Sequence, residues 1–224
     1  MTETKGAAAG PAPQRRRGEI LDAAAEIFFR KGYDATSIQD IASAVGILKG
    51  SLYYYIDSKD DLLFEIINEA FQASLDALER VRQVPGDPLD RIHAMVRTHV
   101  HVFASTRIKS AVFFREFRSL SAQRQEIIRR EGEVYTEFLR TQIRNGQNLG
   151  LVDSALDPKL TSIGVIGMLN AMSFWYKSDG DEEPDAIGDE FARLVIGGLV
   201  SADYLESVGG RDALFARWHG ASVV

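Results

Sequence analysis

Apolar residues recur at helical spacing along almost the whole chain. Ile20, Leu21, Ala24, Ile27 and Phe28 form a first stripe, closed by Gly32 as a helix C-cap. Thr36 followed by Gln39 reads as a capping box, so a second helix starts near Ser37 and buries Ile38, Ile41 and Ala42. Gly46 supplies the positive φ of a sharp turn into a third helix, Leu48 to Tyr54, which packs Leu52 inward. Ser58 caps a long helix through Ile66, Ile67, Ala70, Phe71, Leu75 and Leu78, broken at Pro85-Gly86. Asp87-Pro88 and Asp157-Pro158 are cap-proline start signals, opening helices that run to about Ser105 and Lys177. Between them lie a segment from Lys109 to Leu120 and a helix from Ser121 that ends at Asn145-Gly146 and Asn148-Leu149-Gly150; a last main helix spans Asp185 to Glu206. Every periodic stretch is helical, so the expected fold class is all-α.

Helices Ser37 onward and Leu48 onward, joined at Gly46, make a helix-turn-helix. Its second helix leaves Lys49, Gly50, Ser51, Tyr54 and Tyr55 outward, a mixture suited to a DNA groove. Lysine and serine bond base edges or phosphates, glycine permits close approach, and tyrosine offers a hydroxyl to phosphate and a ring to thymine methyls. The expected readers of the major groove are Lys49, Ser51, Tyr54 and Tyr55, with Gln39; Thr36, Ser37, Tyr53 and Lys59 are expected on phosphates. Lys59 opposes the helix dipole in its own first turn, which a bound phosphate would explain. Arg15, Arg16 and Arg17 read equally well as a solvated charge run or as an arm against DNA.

The run from Val45 to Leu63, with Ile20 to Ala24, Phe28, Gly32 to Thr36 and Ile41-Ala42, resembles the signature of the tetracycline-repressor (TetR) family of bacterial transcriptional regulators. Leu48 stands where that family often has a Ser or Thr cap, and Ile56 where it often has Phe. The resemblance implies a three-helix head on a helical ligand-binding and dimerisation bundle. Expected boundaries are a disordered tail at 1–14, the DNA-binding head at 15–60 and the second domain at 61–224. It also implies a palindromic operator, a homodimer, and an inducer cavity in the second domain.

Composition then narrows the picture. The chain has 224 residues, no cysteine and a formal charge of −6, but residues 1–60 carry eight Lys/Arg against eight Asp/Glu, so the excess acid lies in the second domain. Whole-chain acidity therefore does not exclude DNA, whose affinity follows a local cationic face. Absence of cysteine and of long apolar runs fits a cytoplasmic protein with no membrane segment. Small residues on the last two main helices, with the stripe Phe191, Leu194, Val195, Gly198, Leu199 and Ala202, mark the expected dimer interface.

The second domain holds more bulky groups than a small bundle requires. Phe71, Phe103, Phe113, Phe117, Tyr135 and Phe138 are expected to line a cavity, with Met168, Met172, Trp175, Tyr176 and Arg118. Asn170 to Gly180 resembles family members that answer to acyl-coenzyme A thioesters; Arg115, Arg118 and Lys177 are candidate cations at a tunnel mouth, and a neutral drug-like inducer is the alternative. His93, Arg97 and His101 share one helix face, but the intervening arginine disfavours a metal. No nucleophile elbow, phosphate loop or paired-acid motif occurs, so no enzyme, metal site or cofactor is expected; the rival reading is an all-α small-molecule protein or enzyme with a vestigial head.

Overall fold

The structure is a computed structural model that describes residues 13–220. Among these residues it is helical: α1 Pro13–Lys31, α2 Ile38–Ala44, α3 Lys49–Leu52, α4 Lys59–Arg82, α5 Pro88–Ser105 and α6 Arg107–Glu116. A 3-10 turn, Phe117–Ser119, leads to α7 Ala122–Asn148, α8 Pro158–Asn170, α9 Met172–Trp175, α10 Pro184–Leu199, α11 Ala202–Ser207 and α12 Arg211–Ala216. Most of the expected tail, 1–12, lies outside the described residues; α1 already includes Pro13 and Gln14.

Two apolar cores organise the chain. The first joins Ile20, Phe28, Ile41 and Leu52 of α1–α3 to Leu62 and Ile66 of α4, and reaches Val112 of α6 and Ile128 of α7. The second gathers α5, α7 and α10 around Ile92, Val96, Leu139, Ile143 and Ile196. The long helix α4 contributes to both, with Leu62 to Ile67 in the first and Leu78 and Val81 in the second.

Several boundaries differ from the periodic expectation. The cap of α2 is Ser37, not Thr36: Ser37 Oγ accepts the Asp40 N–H at 3.1 Å and Asp40 returns a bond to the Ser37 N–H at 2.8 Å. Thr36 instead donates to Gly32 O at 2.7 Å and is only 2% exposed. Backbone and hydroxyl bonds from Ser37, then Lys31, hold the Asp40 carboxyl down to about 2. The turn after α2 is set by Gly46, at φ 69°, as a positive φ would have it. Beyond it, α3 is shorter than expected, ending at Leu52 before a turn through Tyr53–Tyr55.

The last main helix also stops early, at Leu199 rather than Glu206. Val200 turns extended to form a bridge with Val152, with Asp153 N–H on Leu199 O and Ser201 N–H on Leu151 O, both at 2.9 Å. Ser201 Oγ adds a bond to Gly150 O at 2.6 Å. These bonds give the helix-end carbonyls and the opposite loop partners they would otherwise lack.

His93, Arg97 and His101 serve packing on α10 and the C-terminus. His93 stacks on Trp218 at 4.6 Å, Arg97 pairs with Asp185 and Asp189, and His101 Nε2 lies 3.1 Å from Asp185. Among the described residues, no helix is long and apolar enough to cross a membrane.

Candidate functional site

The head exposes one short helix on a rigid frame. Arg16 donates to Val45 O at 2.6 Å, tying the end of α2 to α1. Arg17 donates to Tyr55 O at 3.0 Å and pairs with Glu65, fixing the segment after α3 to α1 and α4. The two arginines therefore brace the head, and Arg15 extends furthest of the three into solvent. Ser58 caps α4, and Arg124 of α7 pairs with Asp60 and Asp61. Hydrogen bonding from Ser58, then Arg124, lowers the Asp61 pKa.

On this frame Lys49, Gly50, Ser51, Tyr53 and Tyr54 face solvent, Tyr54 at 81% exposure. Ser37 and Gln39 are exposed beside them. Three of the expected contacts are corrected by packing. Thr36 is buried under its own hydrogen bond and reaches no partner outside the protein. Lys59 donates to Tyr33 O and Thr36 O, both at 2.9 Å, and sits 4.2 Å above the Tyr33 ring. Those carbonyls and that ring explain the cation in the first turn of α4 without a phosphate. Tyr55 is half-buried against the head core, its ring edge-on to Tyr54 at 5.3 Å. Sequence reasoning missed Leu48, an apolar side chain 80% exposed immediately before α3, with no capping bond. Its departure from a Ser or Thr cap was the available signal.

Below the head, α4, α5, α6, α7 and α8 enclose a cavity of about 450 Å³. Phe71, Phe103, Phe113, Phe117 and Tyr135 line it, together with Phe114, Gly132, Ile166 and Asn170. The other expected lining residues lie elsewhere. Phe138 is buried in the second core with the Arg82 guanidinium 5.0 Å from its ring. Met172 is fully buried and Met168 packs on the same core. Trp175 rests edge-on against Phe191 at 6.2 Å, and Tyr176 against Phe103 at 6.1 Å. Arg118 is exposed, away from the cavity. On α8, Met168 points opposite to Ile166 and Asn170, because two residues rotate a helix by about 200°.

The mainly apolar wall also carries Arg129, Glu133, Asn170 and the hydroxyls of Ser74, Ser110 and Thr136, and on it two buried titratable groups meet. His99 Nδ1 and the Tyr135 hydroxyl are 3.1 Å apart. Burial lowers the His99 pKa to about 4 and raises that of Tyr135, so both are neutral at pH 7. His93 is likewise lowered to about 4, by burial first and then by Arg97. Both imidazoles have folded pKa values below the ordinary 6.5, so an unfolded chain takes up protons that the folded chain refuses. The resulting stability is present in full above pH 6.5 and is lost as the pH falls towards 4. Thermal melts should show a loss of about 2 kcal/mol per histidine between pH 7 and 5, and His99→Leu should remove its share of that slope. A flat profile over that interval would contradict the buried neutral imidazoles. The carboxylate effect of Asp40 lies lower, below about 4.

The mouth cations expected at Arg115 and Lys177 are not on the cavity. Lys177 is exposed, and Arg115 donates to Phe29 O at 2.9 Å and to Phe28 O, in the last turn of α1. Beside it the Glu116 carboxylate accepts the Tyr33 N–H at 3.2 Å. A second, polar cleft of about 740 Å³ adjoins the cavity through Glu133, lined by Arg82, Arg130, Arg140, Lys159 and Glu137.

A helix-turn-helix head with an outward second helix, set on a helical bundle around a mainly apolar cavity, defines the class of ligand-binding bacterial transcription regulators. Residues 20–66 match the family model described as bacterial regulatory proteins, tetR family, and residues 85–199 match the tetracyclin repressor-like C-terminal domain; the chain belongs to the TetR family of transcriptional regulators. It is 28% identical to the HTH-type transcriptional repressor KstR2 of Rhodococcus jostii over 197 residues, 83% of this chain and 92% of that one. Among solved structures it is similar to the TetR regulator PfmR from Thermus thermophilus, with TM-score 0.75, 30% identity, and coverage of 81% and 99% of the two chains. It is also similar to AibR in complex with isovaleryl coenzyme A and operator DNA, with TM-score 0.72, 26% identity and coverage of 80% and 97%.

Proposed function

We propose that this regulator binds a palindromic operator as a homodimer and is released by an acyl-coenzyme A thioester whose chain occupies the cavity. The observation that carries the reading is the pairing of an unobstructed α3 with an apolar cavity whose wall, α6, also holds the head. Phe113 and Phe114 of α6 face the cavity, while Arg115 and Glu116 hold the end of α1 and the Tyr33 N–H. A ligand that shifts α6 or α4 therefore moves the head. A coupling of about 1–3 kcal/mol, typical of allosteric systems, weakens operator binding roughly 5–150-fold.

Lys49, Gly50, Ser51 and Tyr54 are proposed in the major groove, with Gln39 and the added Leu48, and Ser37 and Tyr53 on phosphates. The dimer is proposed through α8 and α10. Leu160, Ile163 and Leu194 are exposed there, Leu194 at 60%, and Phe174 on the adjoining α9 is 89% exposed. Gly164, Gly167 and Gly198 serve no packing within the protomer, since an added Cβ would meet nothing within 4 Å. Such an apolar, small-residue face suits a symmetric partner.

Arg82, Arg130, Arg140 and Lys159 of the adjoining cleft are proposed to meet the phosphates of the carrier, in place of Arg115, Arg118 and Lys177. AibR, which was solved with an acyl-coenzyme A and operator DNA, supports this class of effector. The test is a footprint on DNA flanking the regulator's own gene, with decanoyl-coenzyme A, decanoic acid or coenzyme A added. Only the thioester should clear the footprint. Release by the free acid alone would remove the carrier from the reading, and absence of any footprint would remove the operator.

A further inference from the structure

We infer that the His99–Tyr135 pair makes the cavity selective for an effector that places a carbonyl oxygen against it. The inference rests on the cavity being the effector site. Most hydroxyls along the wall are committed to their own helices or to a neighbour. Ser74 donates to Ala70 O at 3.2 Å, Thr136 to Gly132 O at 3.1 Å, and Ser110 bonds the Thr106 hydroxyl at 2.9 Å. The His99–Tyr135 bond leaves one polar hydrogen of the pair unspent on a wall whose other polar side chains include Arg129, Glu133 and Asn170.

The count follows from the atoms. A neutral imidazole and a phenol hold two polar hydrogens between them. If His99 Nδ1–H donates to the Tyr135 oxygen, the phenolic hydrogen is unspent; if Tyr135 donates to Nδ1, the Nε2 hydrogen is unspent. Among the described residues neither group has a second hydrogen-bond partner. Either tautomer thus leaves one donor on a cavity wall that also carries Phe71, Phe103 and Phe113, which offer no lone pair. A desolvated donor without an acceptor is unfavourable, and a ligand oxygen relieves it whereas a hydrocarbon does not. Burial keeps His99 neutral, so the site presents a hydrogen-bond donor and not a charge that would select a carboxylate. A site built to bond an oxygen rejects the analogue that lacks it more strongly than an apolar pocket rejects an added methylene.

Butyrophenone and butylbenzene, which share a ring and a four-carbon chain and differ in one carbonyl, are the probes. Each is titrated calorimetrically into the full chain and into the double variant His99→Leu/Tyr135→Phe. Comparing the ratio of the two affinities between proteins cancels the probes' own hydration. The ratio should move about tenfold towards butylbenzene in the variant, the loss expected of one hydrogen bond. In the unaltered protein, which needs no variant to fold, the infrared carbonyl stretch of bound butyrophenone should fall below its value in hexane. An unchanged ratio, or a stretch at the hexane value, overturns the selectivity while leaving the cavity as an effector site. If neither probe binds the unaltered protein, the effector cavity itself is refuted, and the selectivity with it.

Discussion

An alanine in place of Tyr54 should leave the protein folded and dimeric yet unable to hold its operator at physiological salt. Tyr54 contributes little to the head: it is 81% exposed and, among the described residues, its ring neighbour is Tyr55 at 5.3 Å. Surface substitutions of this kind usually change stability by no more than about 0.5 kcal/mol. A base-edge or methyl contact, by contrast, is worth about 1–3 kcal/mol per half-site. A symmetric dimer loses it twice, which amounts to roughly 30-fold to 10⁴-fold in affinity. Lys49→Ala should weaken binding as well, and should flatten the salt dependence by about two phosphate equivalents if its ammonium lies on the backbone. Gel-shift titrations at several salt concentrations decide both; undiminished affinity in Tyr54→Ala would take α3 out of the groove.

Leu194→Arg should convert the protein to a monomer of 24.8 kDa in sedimentation analysis and abolish operator binding while the helical circular dichroism persists. In the isolated protomer the side chain is 60% exposed, so a charge there is well hydrated and nearly neutral for folding. Across a two-fold interface the same residue meets a copy of its own surface, and two guanidinium groups would be brought together out of water. Operator binding fails with it, because a single α3 cannot span successive major grooves about 34–36 Å apart. A variant that stays dimeric would place the interface on another face.

Much of the scaffold was legible because its signals are local. Asp87-Pro88 and Asp157-Pro158 open α5 and α8 as read, since a capping carboxylate and a fixed proline φ act within one turn. Ser58 caps α4 for the same reason. In the head, the inward set Ile20, Phe28, Ile41 and Leu52 follows from helical periodicity. The cavity was only half legible. Phe113 and Phe117 could be read as wall because the aromatic cluster is dense, but His99 carries no sequence signal that separates it from His93 or His101 on the same helix. Its bond emerges only where α7 brings the Tyr135 hydroxyl within 3.1 Å.

What the residues determine alone is therefore the helical class, the starts of α4, α5 and α8 and the outward face of α3, all properties of neighbours three or four positions apart. Tertiary structure decided the competitions. Ser37 displaced Thr36 as cap because Thr36 was taken by Gly32 O; Lys59 was claimed by the carbonyls of Tyr33 and Thr36; and α10 ended at Leu199 because residues 151–153, some fifty positions away, offered Leu199 and Ser201 backbone partners. Each of these depends on a hydrogen-bond partner delivered by the fold, and no local periodicity encodes which of several eligible donors and acceptors arrives at bonding distance.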